Sequence, residues 1–170
     1  MNKQTSLRRL TEAGVIAALY VALTLLVAPL SYGAVQVRVS ELLTVLPVFT
    51  AAAVPGLTVG CLLANLLGMS AGLTGGWDVL FGTAATLLAS MLTYRLRNVR
   101  LKDLPVLSAL MPVVCNAVIV GLELALFFSA SAFTAELYAV TALWVGLGEL
   151  LSAFVGGLLL FLALRKTKLF

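Results

Sequence analysis

The sequence predicts an all-α integral membrane protein: one compact bundle of six transmembrane helices, with both termini cytoplasmic. Three observations lead there. Apolar residues make up 62% of the chain and charged residues 11%, and a mean hydropathy of +1.12 leaves too little polar surface to coat a soluble domain. The apolar runs are about 20 residues long, the length a helix needs to cross a hydrocarbon core of about 30 Å. A β-barrel would instead show strict alternation over segments of about 10 residues. Lastly, the basic residues cluster at Lys3, Arg8 and Arg9, at Arg95, Arg97, Arg100 and Lys102, and at Arg165, Lys166 and Lys168, with Arg38 alone elsewhere. That distribution is a topology signal rather than a nucleic-acid surface, despite the net charge of +4. The expected partner of such a surface is therefore the lipid bilayer, and no nucleic acid.

The single domain, 1–170, reads as spans over 10–30, 42–54, 57–69, 79–94, 106–128 and 139–164. The first span is too long, and lacks the small-residue site, for a cleavable signal; Pro29 marks its exit. It carries small residues four apart, Ala13 with Ala17 and Gly14 with Ala18 and Ala22. Small-xxx-small spacing lets a second helix approach closely in lipid. That helix can belong to this chain or to another subunit, and spacing does not choose. The loop from Ser31 to Glu41 holds Arg38 and Glu41. Between 42 and 69 the pair Pro55–Gly56 is expected to break the run into two short spans.

The Gly-rich stretch from Ser70 to Asp78 leads into the fourth span, with Trp77 where aromatic belts form. A basic loop ending at Pro105 precedes the fifth span, which holds Asn116 and Glu123, and the sixth holds Trp144 and Glu149. Six spans place both termini and the basic loop on one side, cytoplasmic by the positive-inside rule. Five would split the basic clusters between faces. Arg38 alone is then outside.

Few strongly polar residues interrupt the spans: Asn65, Asp78, Asn116, Glu123 and Glu149. Asn116 and Glu123, seven apart, share a helix face. A charged group at this depth must be paired, hydrated, protonated or part of a solute path. With Trp77, Trp144 and the Arg38 loop, these residues describe a polar pocket opening outward. A plainer reading stands beside it, an internal network in which Arg38 pairs with one of the acids. Ser40 could equally cap the second helix with Glu41 at its positive end, leaving Arg38 to snorkel to lipid headgroups. The cysteines, Cys61 and Cys115, read as small core residues, and without histidine no metal site or other cofactor is expected. No phosphate loop or catalytic motif is present, so no catalytic residue and no enzyme activity is expected, and any ATP hydrolysis would come from another chain.

The segments AVQVRVSELLTVLPVF, PGLTVGCLLANLLG, GGWDVLFGTAATLLASMLTYRLR, NAVIVGLEL and VGLGELL resemble the queuosine-precursor transporter (QueT) family, substrate-binding S components of energy-coupling factor (ECF) importers. The resemblance implies a six-helix protein that captures a 7-deazaguanine precursor of queuosine, or queuine, on the outer side. It implies partners: a transmembrane coupling subunit docked on helix 1 through Ala13 and Ala17 or the overlapping Gly14 and Ala18, and two ATPase subunits. For such a ligand Glu149, Glu123 or Asp78 would accept the paired N–H groups of a guanine-like edge. Asn116 or Gln36 would answer the ring carbonyl. Trp144 or Trp77 would stack on the ring, and Arg38 and Glu41 would order the first outer loop as a lid. Two other readings remain. One is a stand-alone secondary transporter using Glu123 and Glu149 as proton carriers, against which the short chain and lack of an inverted repeat weigh. The other is a lipid-acting membrane enzyme.

Overall fold

The computed structural model describes residues 3–31, 37–128 and 132–167. Among these the chain is helical, with no β-strand beyond an isolated bridge between Leu101 and Leu104. Helix α1 covers Lys3–Leu26 and is followed by the single turn α2, Ala28–Ser31. A 3-10 helix, Val39–Val48, comes next, then α3, Ala53–Ser70, and α4, Gly76–Arg95. Helix α5, Val106–Glu123, continues as a π-helical segment, Leu124–Phe128. Helix α6, Ala135–Glu149, passes through a second π segment, Leu150–Gly156, into α7, Gly157–Leu164. Ser6–Leu26, Ala53–Ser70, Val106–Phe127 and Ala135–Leu164 are long and apolar enough to cross a membrane. Helix α4 has spanning length at 20 residues but carries more polar side chains.

The break expected at Pro55–Gly56 lies instead over residues 49–52, and α3 begins at Ala53 with Pro55 inside its first turn. Proline is tolerated there because the first N–H groups of a helix have no intrahelical acceptor to lose. What precedes the break is a 3-10 helix rather than an α-helical span over 42–54. At about 2 Å rise per residue, its 10 residues extend about 20 Å, less than a bilayer core.

Helices α1 and α3 pack side by side and parallel. A Cβ added at Gly56 would stand 2.8 Å from the Ala13 carbonyl oxygen, and one at Gly60 would stand 2.8 Å from Tyr20 Cβ and 3.1 Å from Ala17 Cα. Nothing larger than hydrogen fits at either place. Parallel packing requires the chain between the two helices to return to its starting end, and the Val39–Val48 helix makes that return. It touches α1, α3, α4, α5, α7 and the Leu150–Gly156 segment, and eight of its residues are buried. This short helix is the central strut. Around it α3 packs on α4, α4 on α5 and α5 on α6.

One end of the bundle collects Arg8 and Arg9, Thr50 and Ala51 of the 49–52 turn, and Tyr94 and Arg97. Arg100 stacks its guanidinium 4.9 Å from the centroid of Phe161, whose ring lies 5.3 Å from that of Phe49, so the chain's last helix ends there too. The described basic clusters therefore share one end. The 70–75 loop, the N-terminus of α4 and the C-terminus of α5 lie at the other.

Candidate functional site

Toward the end remote from those arginines, the bundle encloses an unusual group of polar side chains. Of the seven acidic residues in the chain, Glu41, Asp78, Glu123 and Glu149 are buried, as are Arg38, Asn65 and Asn116. Each has a local reason for its position. Glu41 sits in the first turn of the central 3-10 helix, eight of whose residues are buried. Asp78 is the third residue of α4 and closes its start: the Gly75 N–H donates to Asp78 Oδ2 at 3.3 Å, and the Thr74 hydroxyl donates to the same oxygen. Glu123 and Glu149 each end an α-helix, and a π segment begins at the next residue in both cases. A π turn inserts one extra residue and rotates the remainder of its helix, a device concentrated at functional sites.

The group is tied together from α1 outward. Tyr20 donates its hydroxyl to Glu41 Oε1. Thr24 donates to Ser40 Oγ at 2.7 Å, and Ser31 Oγ donates to the Thr24 carbonyl at 3.0 Å. Arg38 Nε donates to the Ser31 carbonyl at 3.2 Å, while its Nη2 lies 3.7 Å from Asp78 Oδ1. Asn65 donates to the Asp78 carbonyl at 2.9 Å. Gly82 faces Asn65 and Arg38, and a Cβ there would come within 2.9 Å of Asn65 Nδ2. Glu123 lies beside Asp78, and Glu149 lies beside the Asn116 amide within electrostatic reach of Glu41 and Arg38.

The hydrogen-bonding in this group is incomplete. Among the described residues, both oxygens of Glu123, Oε2 of Glu41, Oε2 of Glu149, Oδ1 of Asp78 and Oδ1 of Asn65 make no hydrogen bond of ordinary geometry. Buried polar atoms are nearly always bonded, and an unmet one costs about 1–3 kcal/mol. So many buried acceptors without a hydrogen-bond donor in one place set this group apart from an ordinary closed core.

The structure thus brings Arg38, Glu41, Asp78, Asn116, Glu123 and Glu149 together. Arg38 does not snorkel to headgroups: it is 4% exposed, because a carboxylate and a carbonyl hold it inside. Ser40 does not cap the 3-10 helix, whose start has no side-chain cap, since its oxygen accepts from Thr24. The tryptophans stand apart. Trp77 is 45% exposed and stacks on Phe127 at 4.1 Å, with Phe81 completing the cluster, and Trp144 is 49% exposed on α6. Gln36 lies outside the described residues.

Sequence reasoning passed over Tyr20, Thr24 and Ser31 as members of this network. The signal for Tyr20 and Thr24 was their spacing: four residues apart, they lie on one face of a span that is otherwise apolar. On helix 1, Ala13 and Ala17 face Gly56 and Gly60 of α3, whereas Gly14 and Ala18 face outward.

A multi-pass helical membrane protein enclosing an acid-rich polar site has the build of a solute carrier or solute-capturing subunit. The family model for the QueT transporter matches residues 10–166, and the chain belongs to that family, one of transporters rather than enzymes. A curated relative, the queuosine precursor transporter QueT of Lactococcus lactis subsp. cremoris (strain MG1363), is 33% identical over 89 residues. The match covers 51% of this chain and 49% of the relative, so the chain spans about half the length of the curated relative it matches. No solved structure matches.

Proposed function

We propose that this chain is the substrate-binding S component of an ECF-type importer, and that it captures a queuosine precursor of the 7-deazaguanine class from the extracellular side. The observation that carries the proposal is the buried set of uncommitted acceptors on Glu41, Asn65, Asp78, Glu123 and Glu149. A guanine-like edge presents adjacent N–H donors, and one carboxylate accepts two of them at once. In this reading Glu123, Glu149 or Asp78 takes that edge, and Asn116 or Gln36 answers the ring carbonyl. Arg38 and Glu41 would order the first outer loop as a lid, and Trp77 or Trp144 is the stacking candidate.

The same reading takes the domain as six membrane passes, the Val39–Val48 helix and its flanking turn making the second. The shared basic end is then cytoplasmic and the acid-rich end external, in keeping with the positive-inside rule. The coupling subunit docks on the outward face of helix 1, at Gly14 and Ala18, because Ala13 and Ala17 are engaged with α3. Two ATPase subunits supply the energy.

Uptake of labelled precursor into proteoliposomes tests this, with and without coupling and ATPase subunits. Uptake that requires both partners and ATP is the expected result. The adjacency of Asp78 and Glu123 favours a second reading, a proton-coupled carrier acting alone. Uptake by the lone protein under a proton gradient would establish that reading and end the first.

A further inference from the structure

Resting on the precursor-binding reading above, we propose that the site selects precursors bearing a protonated amine over uncharged ones, with Asp78 and Glu123 receiving the ammonium group. The argument begins with a charge imbalance. Among the described residues Arg38 is the one buried cation, set against four buried carboxyl groups. Arg38 is engaged with the Ser31 carbonyl and lies 3.7 Å from Asp78.

The uncommitted atoms narrow the choice further. On the acids and on Asn65 they are acceptors without exception. A purine-like edge mixes donors with acceptors, so it answers some of them and brings acceptors of its own. A primary ammonium has three donors and no acceptor, whereas a nitrile only accepts.

The existing bonds point to the place for the ammonium. Glu41 already accepts from Tyr20, and Glu149 lies against Asn116. Glu123 is fully buried at the end of α5, no N–H or hydroxyl of the described residues donates to either of its oxygens, and its carboxyl lies against that of Asp78, whose Oδ1 faces Arg38 at 3.7 Å. Two carboxyl groups side by side repel when ionised, and a cation between them reverses the sign of that interaction. Charge-assisted hydrogen bonds are the stronger kind in a dry site. The pair also lies at the N-terminus of α4 and the C-terminus of α5, at the end where solute enters in this account.

The test is equilibrium binding to the full-length protein in lipid nanodiscs, comparing the aminomethyl and cyano forms of 7-deazaguanine at fixed pH and salt. The aminomethyl form should bind tighter by on the order of 10- to 100-fold, the range set by one or two charged hydrogen bonds. Glu123→Gln should bring that ratio close to one mainly by weakening the aminomethyl form. Asp78→Asn should narrow it in the same direction, which keeps the assignment testable if one variant folds poorly. Equal affinities, or a tighter cyano form, would overturn the selectivity and leave the proposed function standing. A ratio unchanged in both variants would remove Asp78 and Glu123 as the partners. Binding of neither compound would sink the precursor reading and the inference together.

Discussion

Gly121→Ala adds one methyl group where α5 crosses α6, and the structure sets its consequence. The new Cβ would lie 2.6 Å from Ala142 Cα and 3.0 Å from Ala142 Cβ and N. Carbon atoms in contact sit at about 3.5–4.0 Å, so the helices must part by roughly 1 Å. The obstacle is backbone, which cannot rotate away. Parting also stretches the 2.7 Å hydrogen bond from the Thr141 hydroxyl to the Gly121 carbonyl. Overpacking of this kind costs about 1–3 kcal/mol, and for a chain of this size each kcal/mol lowers the melting temperature by roughly 2–4 °C. Glu123 is two residues along α5 and Glu149 two turns along α6 from the contact, so solute affinity should fall with stability. Gly146→Ala, in the same interface, is the control: its Cβ would meet Ala117 Cβ at 3.5 Å, an ordinary contact. Thermal unfolding of the purified proteins in detergent, with solute binding measured alongside, reads both effects. A Gly121→Ala protein as stable as the parent, or a Gly146→Ala protein equally damaged, would refute the reasoning.

Three further outcomes are expected. Tyr20→Phe removes the donor to the buried Glu41 carboxylate and should cost about 1–3 kcal/mol in the same melting assay; an unchanged melting temperature would mean that the bond carries no net stability. Gly14→Trp and Ala18→Trp should abolish ATP-driven uptake while sparing solute binding, whereas Ala17→Trp, aimed at Gly60, should prevent folding; full uptake by the first two would move the docking face elsewhere. In intact cells, an impermeant thiol reagent should label Ser70→Cys and not Asn98→Cys, with Cys61 and Cys115 silent because both are buried; the reverse labelling would invert the topology.

Much of the fold was legible because length and apolarity act locally. Helices α4 and α5 and the run through α6 and α7 lie close to the expected spans, while α1 overlaps its span but begins seven residues earlier. Between 42 and 69 the division into two segments was legible, and 57–69 lies within α3, but the place of the break and the nature of the first segment were not. Pro55 looks like a breaker to any local rule, yet in the first turn of α3 its missing N–H costs nothing. A 10-residue 3-10 helix has no residue signature, and what holds it is contact on all sides with helices distant in sequence. The π segments after Glu123 and Glu149 escaped for the same reason.

At the site, the acids announced themselves because charge is costly inside a membrane, and the structure gathers every one that was singled out. The tryptophans did not join them. Aromatic residues are at home at the lipid interface as well as in pockets, and type alone does not separate the two. The small residues of helix 1 were ambiguous until Gly56 and Gly60 were seen to receive Ala13 and Ala17. Partner choice is a property of the opposite surface.

The central claim is that the buried acid-rich group is a solute site for a queuosine precursor. The most direct measurement is calorimetric binding to the purified protein, with a 7-deazaguanine precursor set against riboflavin, thiamine and biotin, repeated for Asp78→Asn, Glu123→Gln and Glu149→Gln. The account predicts saturable binding of a precursor alone, weakened in at least one of the three variants while they remain folded. Absence of precursor binding, or binding undiminished in all three, would contradict it.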